Sequence, residues 1–558
     1  LKLIGAFVLI FVFLFFTIPG ASPDLSDQQL ENKNIGKRIY REGIGSSGQP
    51  VVAISGNDVV IDGEMVTCES CHKRSGLGSS ESRQVTPPVI PDYLFKPRER
   101  GRRGTLGVRT QGAGTRPSYT DESLKAAIVL GVDPVGRSFN PLMPRYHLSE
   151  RDLAGLLEYL KSKPSIGAPG ISDKNIHFAT VVAGDVSPQK KKAMLDVFQQ
   201  YLSAINTETR QETRRAEGAP WHRDWKYKAY RKWALHVWEL KGNERDWPAQ
   251  LTKYYNAQPV FAMLGGVGAA EWKSVHAFCE SNEIPCLFPH TEMPVLKGNG
   301  YYTLYFSRGL ALEGEVAVKH LQQNTPTGSQ KPNVLQIHDC FASGRIVAEA
   351  VEREATYQGL GSVTSICVDD SSGSNERIKM ALNGQDKPVI MMLWLERQAI
   401  EALSPLFTTL NLKIQQIYIS SKVSGTRLEW YPSELGKLSY VVHSSELVGR
   451  LSAHLMRTRG WLQNNGIESF DYRHLQADTF FSLMITRRAV KQMREKFSRD
   501  YFIEILEHST EKILLSSVYP RLSLGPGQRF ASKGSYVLSM SEFLNQQTTP
   551  SSVSWVVP

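Results

Sequence analysis

The run Lys163-Pro-Ser-Ile-Gly-Ala-Pro-Gly170 divides the chain into two stretches of different texture. Pro and Gly at this density break both helix and strand, so the run predicts a linker over 164–174. Residues 30–163 are rich in Gly, Pro and Arg and carry little strand signal, whereas 175–540 alternate β-rich apolar runs with amphipathic stretches. Length agrees with a division: 558 residues hold two to four units of roughly 100–200 residues each. The composition, 41% hydrophobic and 22% charged, supplies enough apolar material for several cores and excludes a disordered chain.

The net charge of +10 comes from scattered residues. Its densest run, Lys96–Arg109, lies in a Gly-rich stretch with no helical face, and no nucleic-acid module is present, so nucleic acid is not an expected partner. Residues 1–18 place one Lys before a long apolar run that ends at Pro19-Gly20. This is the pattern of an export signal, and 1–22 is read as a signal peptide or anchor. The expected location is periplasmic, with membrane contact only through an uncleaved anchor over 1–21.

In the first stretch, helical spacing of Ile35, Ile39 and Tyr40 predicts a helix near Lys33–Glu42. A second helix spans Ser149–Ser162, with Ser149 as cap and Leu153, Leu156, Leu157 and Leu160 as its apolar stripe. A weaker one covers Asp121–Leu130. The second stretch reads as βαβ units, with strands at Ile176–Ala183, Trp233–Leu240, Pro259–Leu264, Pro285–Phe288, Asn333–Ile337, Ser362–Val368, Pro388–Trp394, Ile414–Ile419 and Leu438–Val442. Helical runs such as Lys191–Ile205, Glu271–Ser281 and Gly344–Tyr357 lie between them. The fold class expected is therefore an all-α domain followed by a two-lobed α/β domain with parallel sheets over 175–558.

Chemistry concentrates at Cys68-Glu69-Ser70-Cys71-His72, a C-x-x-C-H motif. Two thiols at this spacing bond the two vinyl groups of one heme, and the adjacent imidazole meets the iron. With six cysteines and 13 histidines in the chain, about 0.0015 such motifs are expected by chance. The cofactor expected is thus one covalent heme c on Cys68 and Cys71, with His72 as axial ligand. The sixth ligand needs a soft donor on a downstream loop. Met143, stiffened by Pro141 and Pro144, is the first candidate, and His147 and Met65 compete. The other cysteines, Cys279, Cys286, Cys340 and Cys367, are candidates for disulfides, the nearest-neighbour pairing being 279 with 286 and 340 with 367.

Around this motif, residues 33–163 resemble a class I cytochrome c. The likeness rests on Gly36…Ile39-Tyr40, the Cys68–His72 motif, Gly76-x-Gly78, Pro87-Pro88 and Tyr119–Leu124. It extends through Gly131–Gly136, Leu142-Met-Pro-Arg-Tyr146 and Asp152-Leu…Leu157-Glu-Tyr-Leu160. It implies crossed first and last helices, His72/Met143 ligation, and one-electron transfer with a periplasmic redox partner, a dehydrogenase or another cytochrome. Residues 174–558 resemble the periplasmic solute-binding proteins of the branched-chain amino acid type, more loosely. The matching segments are Ile176–Asp185, Met263–Gly268, Ile284–Pro289, Tyr301–Phe306, Gly314–Leu321, Leu524–Phe530 and Gly534–Tyr536. Two lobes closing on a small-molecule solute are implied.

In open α/β sheets ligands sit at strand carboxyl ends. The cleft residues expected on that ground are Asp185, Gly265, Gly266, Gly268, His290, Thr291, His338 and Asp339. The glycines are read as preceding a helix near Ala269 whose free N–H groups could hold a carboxylate. His290, Glu292, His338 and Asp339 form a polar or metal constellation. Hydroxyl residues are missing from 265–268, which counts against amino-acid binding. Hydrolytic and nucleotide motifs are absent, so no enzyme is expected. Two functions stand: a monoheme electron-transfer protein with a solute-binding or docking domain, or the substrate-binding receptor of an ABC-type transport or sensing system with an accessory heme.

Overall fold

The computed structural model describes residues 25–56, 58–81, 84–100, 114–163, 167–218, 231–268, 271–298, 300–326, 331–361, 363–369, 373–383, 388–409, 414–467, 471–494, 496–509, 517–545 and 553–558. The expected export segment, most of the basic run Lys96–Arg109, and Ala269 lie outside them. The chain forms two compact units, Leu1–Ser165 and Ile166–Pro558.

The first unit contains α1 (Leu25–Glu42), β1 (Val52–Ser55), β2 (Val59–Asp62), α2 (Cys68–His72), β3 (Ser79–Glu81), β4 (Gln84–Thr86), α3 (Pro91–Leu94), β5 (Arg98–Arg100), β6 (Gly114–Arg116), α4 (Asp121–Val129), β7 (Arg145–His147) and α5 (Glu150–Ser162). Ser149 caps α5 by accepting from the Asp152 backbone at 3.1 Å, and the predicted leucine stripe is buried. Helix α5 packs on α1 at a glycine pair: a Cβ on Gly36 would lie 2.0 Å from the Gly155 carbonyl oxygen. Ile35, Ile39 and Tyr40 fill the core from the other side of that seam.

The unit is not all-α as expected. An antiparallel sheet of order β2-β1-β7 runs through it. Its cause is local: the β-branched residues Val51, Val52 and Ile54 on one side and Val59–Ile61 on the other flank Gly56, whose φ of +66° turns the hairpin.

The second unit opens with β8 (Asn175–Ala183), α6 (Pro188–Gly218), β9 (Lys232–Leu240), α7 (Trp247–Ala257), β10 (Ala262–Leu264), β11 (Val267–Gly268), α8 (Lys273–Ser281), β12 (Cys286–Leu287) and β13 (Thr303–Leu304). These strands form one parallel sheet, with β8 flanked by β9 on one side and β10 and β11 on the other. Apolar clusters cover both faces, which is the burial that continuous runs such as Phe178–Ala183 require. The chain then passes through α9 (Leu310–Asn324) into β14 (Asn333–Asp339), α10 (Ala342–Tyr357), β15 (Val363–Val368), α11 (Gly373–Asn383), β16 (Val389–Trp394), α12 (Arg397–Thr409), β17 (Ile414–Ser420), α13 (Ser433–Gly436) and β18 (Ser439–His443).

It returns to the first lobe as α14 (Val448–His454), α15 (Met456–Asn464), α16 (Arg473–Met493) and α17 (Arg499–Ser509). There Phe480, Phe481 and Leu506 join the core of Leu287 and Phe288. It ends in the second lobe as β19 (Ser535–Ser539), α18 (Met540–Leu544) and β20 (Ser554–Val556). The second sheet has the order β15-β14-β16-β17-β18-β19-β20, parallel as far as β18 and antiparallel beyond. Three passages therefore link the lobes. The first and third run side by side, Ala531 N–H donating to Tyr305 O at 3.0 Å. At the second, Glu446 N–H donates to Val518 O at 2.7 Å. No helix among the described residues is long and apolar enough to cross a membrane.

Candidate functional site

In the first unit, Thr67 starts α2 by accepting from Ser70 N–H at 3.2 Å, which sets Cys68, Cys71 and His72 on one short helix. Past it the chain doubles back. Gly78 N–H donates to His72 O at 2.9 Å, and a Cβ on Gly78 (φ +75°) would lie 2.1 Å from Thr86 O. That close approach brings Pro87 O to 2.9 Å from His72 Nδ1. A carbonyl can only accept, so Nδ1 carries the hydrogen and Nε2 keeps the lone pair. Burial lowers the His72 pKa and favours the neutral ring. Cys68 is half-buried against the core and Cys71 is exposed. Burial pushes the Cys68 thiol up to about 12, against a hydrogen bond with Tyr146.

These features fit a heme: two thiols and an imidazole whose Nε2 lone pair is free stand on one short helix. Met143 sits just before β7, half-buried, in a loop that Arg145 holds by donating to the Met143 and Phe139 carbonyls. Tyr146 of β7 donates its hydroxyl to Val66 O beside α2. The competitors are more open: Met65 is 77% exposed, and His147 is exposed.

In the second unit the expected cleft residues separate. Asp185 is exposed. Gly265 and Gly266 do not open a helix. Met263 pairs with Ala179 and Val267 with Val182, so the register along β8 slips by one residue between them. The two glycines (φ +56° and +106°) form that bulge, and Gly268 lies in β11. Gly265 N–H is already donated to Leu287 O at 2.8 Å, which removes the proposed carboxylate cradle. His338 is committed inside the second lobe, to Asp339 O at 2.7 Å and Ser365 Oγ at 3.1 Å. The Asp339 carboxylate accepts from Phe341 and Gly344 N–H and holds the start of α10. The metal constellation therefore does not assemble. No group of three or more His, Cys, Asp or Glu side chains among the described residues could hold an ion. Cys340 and Cys367 form a disulfide. Cys279 and Cys286 are buried free thiols rather than a second bridge.

What does assemble lies where the lobes meet. The segment after β12 brings His290, Thr291 and Glu292, with Leu310 N–H donating to Glu292 O at 2.9 Å. Gly309 (φ +61°) permits that contact, since a Cβ there would lie 2.0 Å from the same oxygen. From the opposite lobe, Lys422 follows β17 and places Nζ 2.5 Å from Glu292 Oε2. Glu313 in the first turn of α9 is fully buried, and its carboxylate accepts from Ser420 and, at 2.9 Å, from Ser444 Oγ. His290 Nδ1 donates to Asp478 Oδ2 of α16 at 2.8 Å.

Burial pushes Glu313 up to about 7, against the nearby Lys422 ammonium and both serines. For Lys422, burial opposes the charge, but Glu292, Tyr519 and Glu313 outweigh it and hold the ammonium above its ordinary range. Burial likewise opposes ionisation of Glu292, and Lys422 and His290 overcome it. Sequence reading found His290, Thr291 and Glu292 but missed Lys422, Glu313, Ser444 and Asp478. Lys422 and Ser444 obey the same strand-end rule that found His290; Glu313 and Asp478 sit on helices and carry no such signal.

No family model matches the chain, and no curated protein matches it. Among solved structures it is similar to a fatty acid ABC transporter substrate-binding protein from Thermomonospora curvata, at 14% identity over 70% of this chain and 94% of that one, TM-score 0.42. An ABC transporter substrate-binding protein of Aeropyrum pernix is 12% identical over 69% of this chain and 96% of its own, TM-score 0.45. A branched-chain amino acid transporter substrate-binding protein of Streptococcus pneumoniae, in complex with isoleucine, is 11% identical over 69% and 100%, TM-score 0.43.

Proposed function

We propose that residues 166–558 are an exported solute-binding unit whose lobes close on a small molecule at their junction. The observation that carries this is the ion pair of Lys422 with Glu292. It joins the two lobes through side chains set at strand carboxyl ends, with Glu313, Ser444 and Asp478 gathered round it. Three connecting passages allow such lobes to hinge. A charge pair across the junction favours the closed form, and a solute that touches both lobes shifts the population further. The test is scattering or intramolecular distance measurement on wild type and Lys422→Met, with and without a solute panel. The variant should be more open in the absence of solute. Compaction identical in both proteins, with no solute raising Tm, would remove the reading.

A second reading concerns the first unit and rests on the His72–Pro87 hydrogen bond. Cys68 and Cys71 would hold a heme c by thioether bonds, and His72 Nε2 and Met143 would be the residues that ligate its iron. When bound, the group supplies a one-electron couple to a periplasmic redox partner. The chain's part is to fix the His72 tautomer through Pro87 and to hold α2 against the core through Tyr146. A reduced-minus-oxidised visible spectrum of protein exported with the heme-attachment machinery tests it. A c-type α band that vanishes in Cys68→Ala/Cys71→Ala supports it, and its absence from wild type ends it.

A further inference from the structure

Asp478 on α16 is 2% exposed, and His290 satisfies only one of its oxygens. Its other oxygen, Oδ1, is buried and has no hydrogen-bond partner among the described residues. A carboxylate left half-satisfied in the interior is unfavourable, and the open lone pairs call for a donor, preferably a charged one. The surroundings decide which. Glu292, Asp478 and Glu313, the last raised to about 7 by burial, bring three carboxyl groups to the junction; facing them are one ammonium, Lys422, already engaged by Glu292, and the imidazoles of His290 and His474. Tyr519, whose ring stacks on Phe306 with centroids 5.2 Å apart, supplies an aromatic wall beside the same charges.

We propose that the junction binds an amine cation that carries no carboxylate, its ammonium donating to Asp478 Oδ1 and its aliphatic part lying towards Tyr519. This rests on the solute-binding reading above and narrows it. An α-amino acid is disfavoured because its carboxylate would enter among acids. The glycine segment that could have received it has its Gly265 N–H committed to Leu287 O at 2.8 Å. The space beside Gly266 is filled too, with the Trp272 ring 2.9 Å from where a Cβ would stand. Lys422 is the one ammonium a carboxylate could meet there, and it is already paired with Glu292.

The experiment is calorimetric titration of the full-length protein with butylammonium, putrescine, norvaline, butyrate and 1-butanol. The expected result is binding of at least one amine, with 1-butanol and norvaline each at least tenfold weaker, and at least a tenfold loss of amine affinity in Asp478→Asn. If that variant does not fold, the comparison of butylammonium with its uncharged isostere 1-butanol on wild type decides alone. Norvaline binding as tightly as the amines, or amine affinity unchanged in Asp478→Asn, overturns the proposal but leaves solute binding standing. Failure of every amine also overturns it. Whether a broader set of sugars and anions then raises Tm tells if the solute-binding reading falls as well.

Discussion

Glu313, buried at the start of α9, accepts a hydrogen bond from Ser444 Oγ at 2.9 Å, at the point where the chain makes its second passage between lobes. Its folded pKa of about 7 lies above the ordinary 4.5. A carboxyl that binds its proton more tightly when folded contributes fully below pH 4.5, and the contribution is lost as pH rises through about 7. Glu313→Gln keeps the shape and removes the titration. Wild type should therefore lose on the order of 2–3 kcal/mol between pH 4.5 and 8 that the variant does not lose. Denaturant midpoints for both proteins at pH 5 and pH 8 check this. Parallel pH profiles would show that Glu313 is not the group responsible.

Arg499 is a buried cation held by backbone. Its guanidinium donates to the carbonyls of Val260, Phe261, Asn282 and Glu283 and to the Tyr255 hydroxyl. Arg499→Ala leaves those carbonyls without donors and should cost about 3–5 kcal/mol, the range for breaking a buried charged network. Arg499→Lys keeps the charge but not the planar fork, so it should recover only part of the loss. Denaturant unfolding of the three proteins orders them, and equal stability of Lys and Arg would reduce the site to a point charge.

Much of this molecule was legible because its signals are periodic. The Leu153–Leu160 stripe and the Ser149 cap gave α5, and the apolar runs from Ile176 to Val442 gave the parallel strands to within about three residues of their ends. What failed was decided by tertiary pairing. Gly265-Gly266 looks the same before a helix as in a bulge, and only pairing along β8 distinguishes them. The hairpin at Gly56 was hidden by the Gly- and Pro-rich composition around it. Helices α16 and α17 return to the first lobe nearly 300 residues after it begins, so Asp478 meets His290 across a sequence separation of 188 that no local pattern encodes. His338 and Asp339 stand at a strand end as expected, yet their side chains are consumed by neighbours within their own lobe.

The seam between α1 and α5 predicts a sharp steric effect. Gly36→Ala would set a methyl 2.0 Å from the Gly155 carbonyl oxygen, a backbone atom that cannot swing aside. The helices must separate, at about 3 kcal/mol, the upper end of overpacking costs. Thermal melting of the first unit's helical signal measures it. An unchanged midpoint would mean that the two helices slide past one another freely.

Cys340 and Cys367 close a loop across 27 positions of sequence. A cross-link of that span restricts the unfolded chain by about 3–4 kcal/mol on the loop-entropy account. The double substitution Cys340→Ala/Cys367→Ala should lower the denaturant midpoint accordingly, and reduction of the wild type should reproduce the shift. Because Cys279 and Cys286 are free and buried, thiol counting of the unfolded, non-reduced protein should report them in addition to any unmodified Cys68 and Cys71.

The loop before β7 gives the most direct test of the heme reading. Its backbone is held without help from the Met143 side chain: Arg145 donates to the carbonyls of residues 139 and 143, and its guanidinium lies where a Cβ on Gly131 (φ +68°) would fall. Met143→Ala should therefore leave the folding stability within about 1 kcal/mol of wild type, as expected for a half-buried side chain at a loop. With the fold preserved, a change in the visible spectrum reports ligation alone. Loss of the sulfur-to-iron band and a lower reduction potential are expected, since a Met ligand raises the potential. A spectrum that stays low-spin with that band intact would assign the sixth position to Met65. One that stays low-spin and never had the band would assign it to His147.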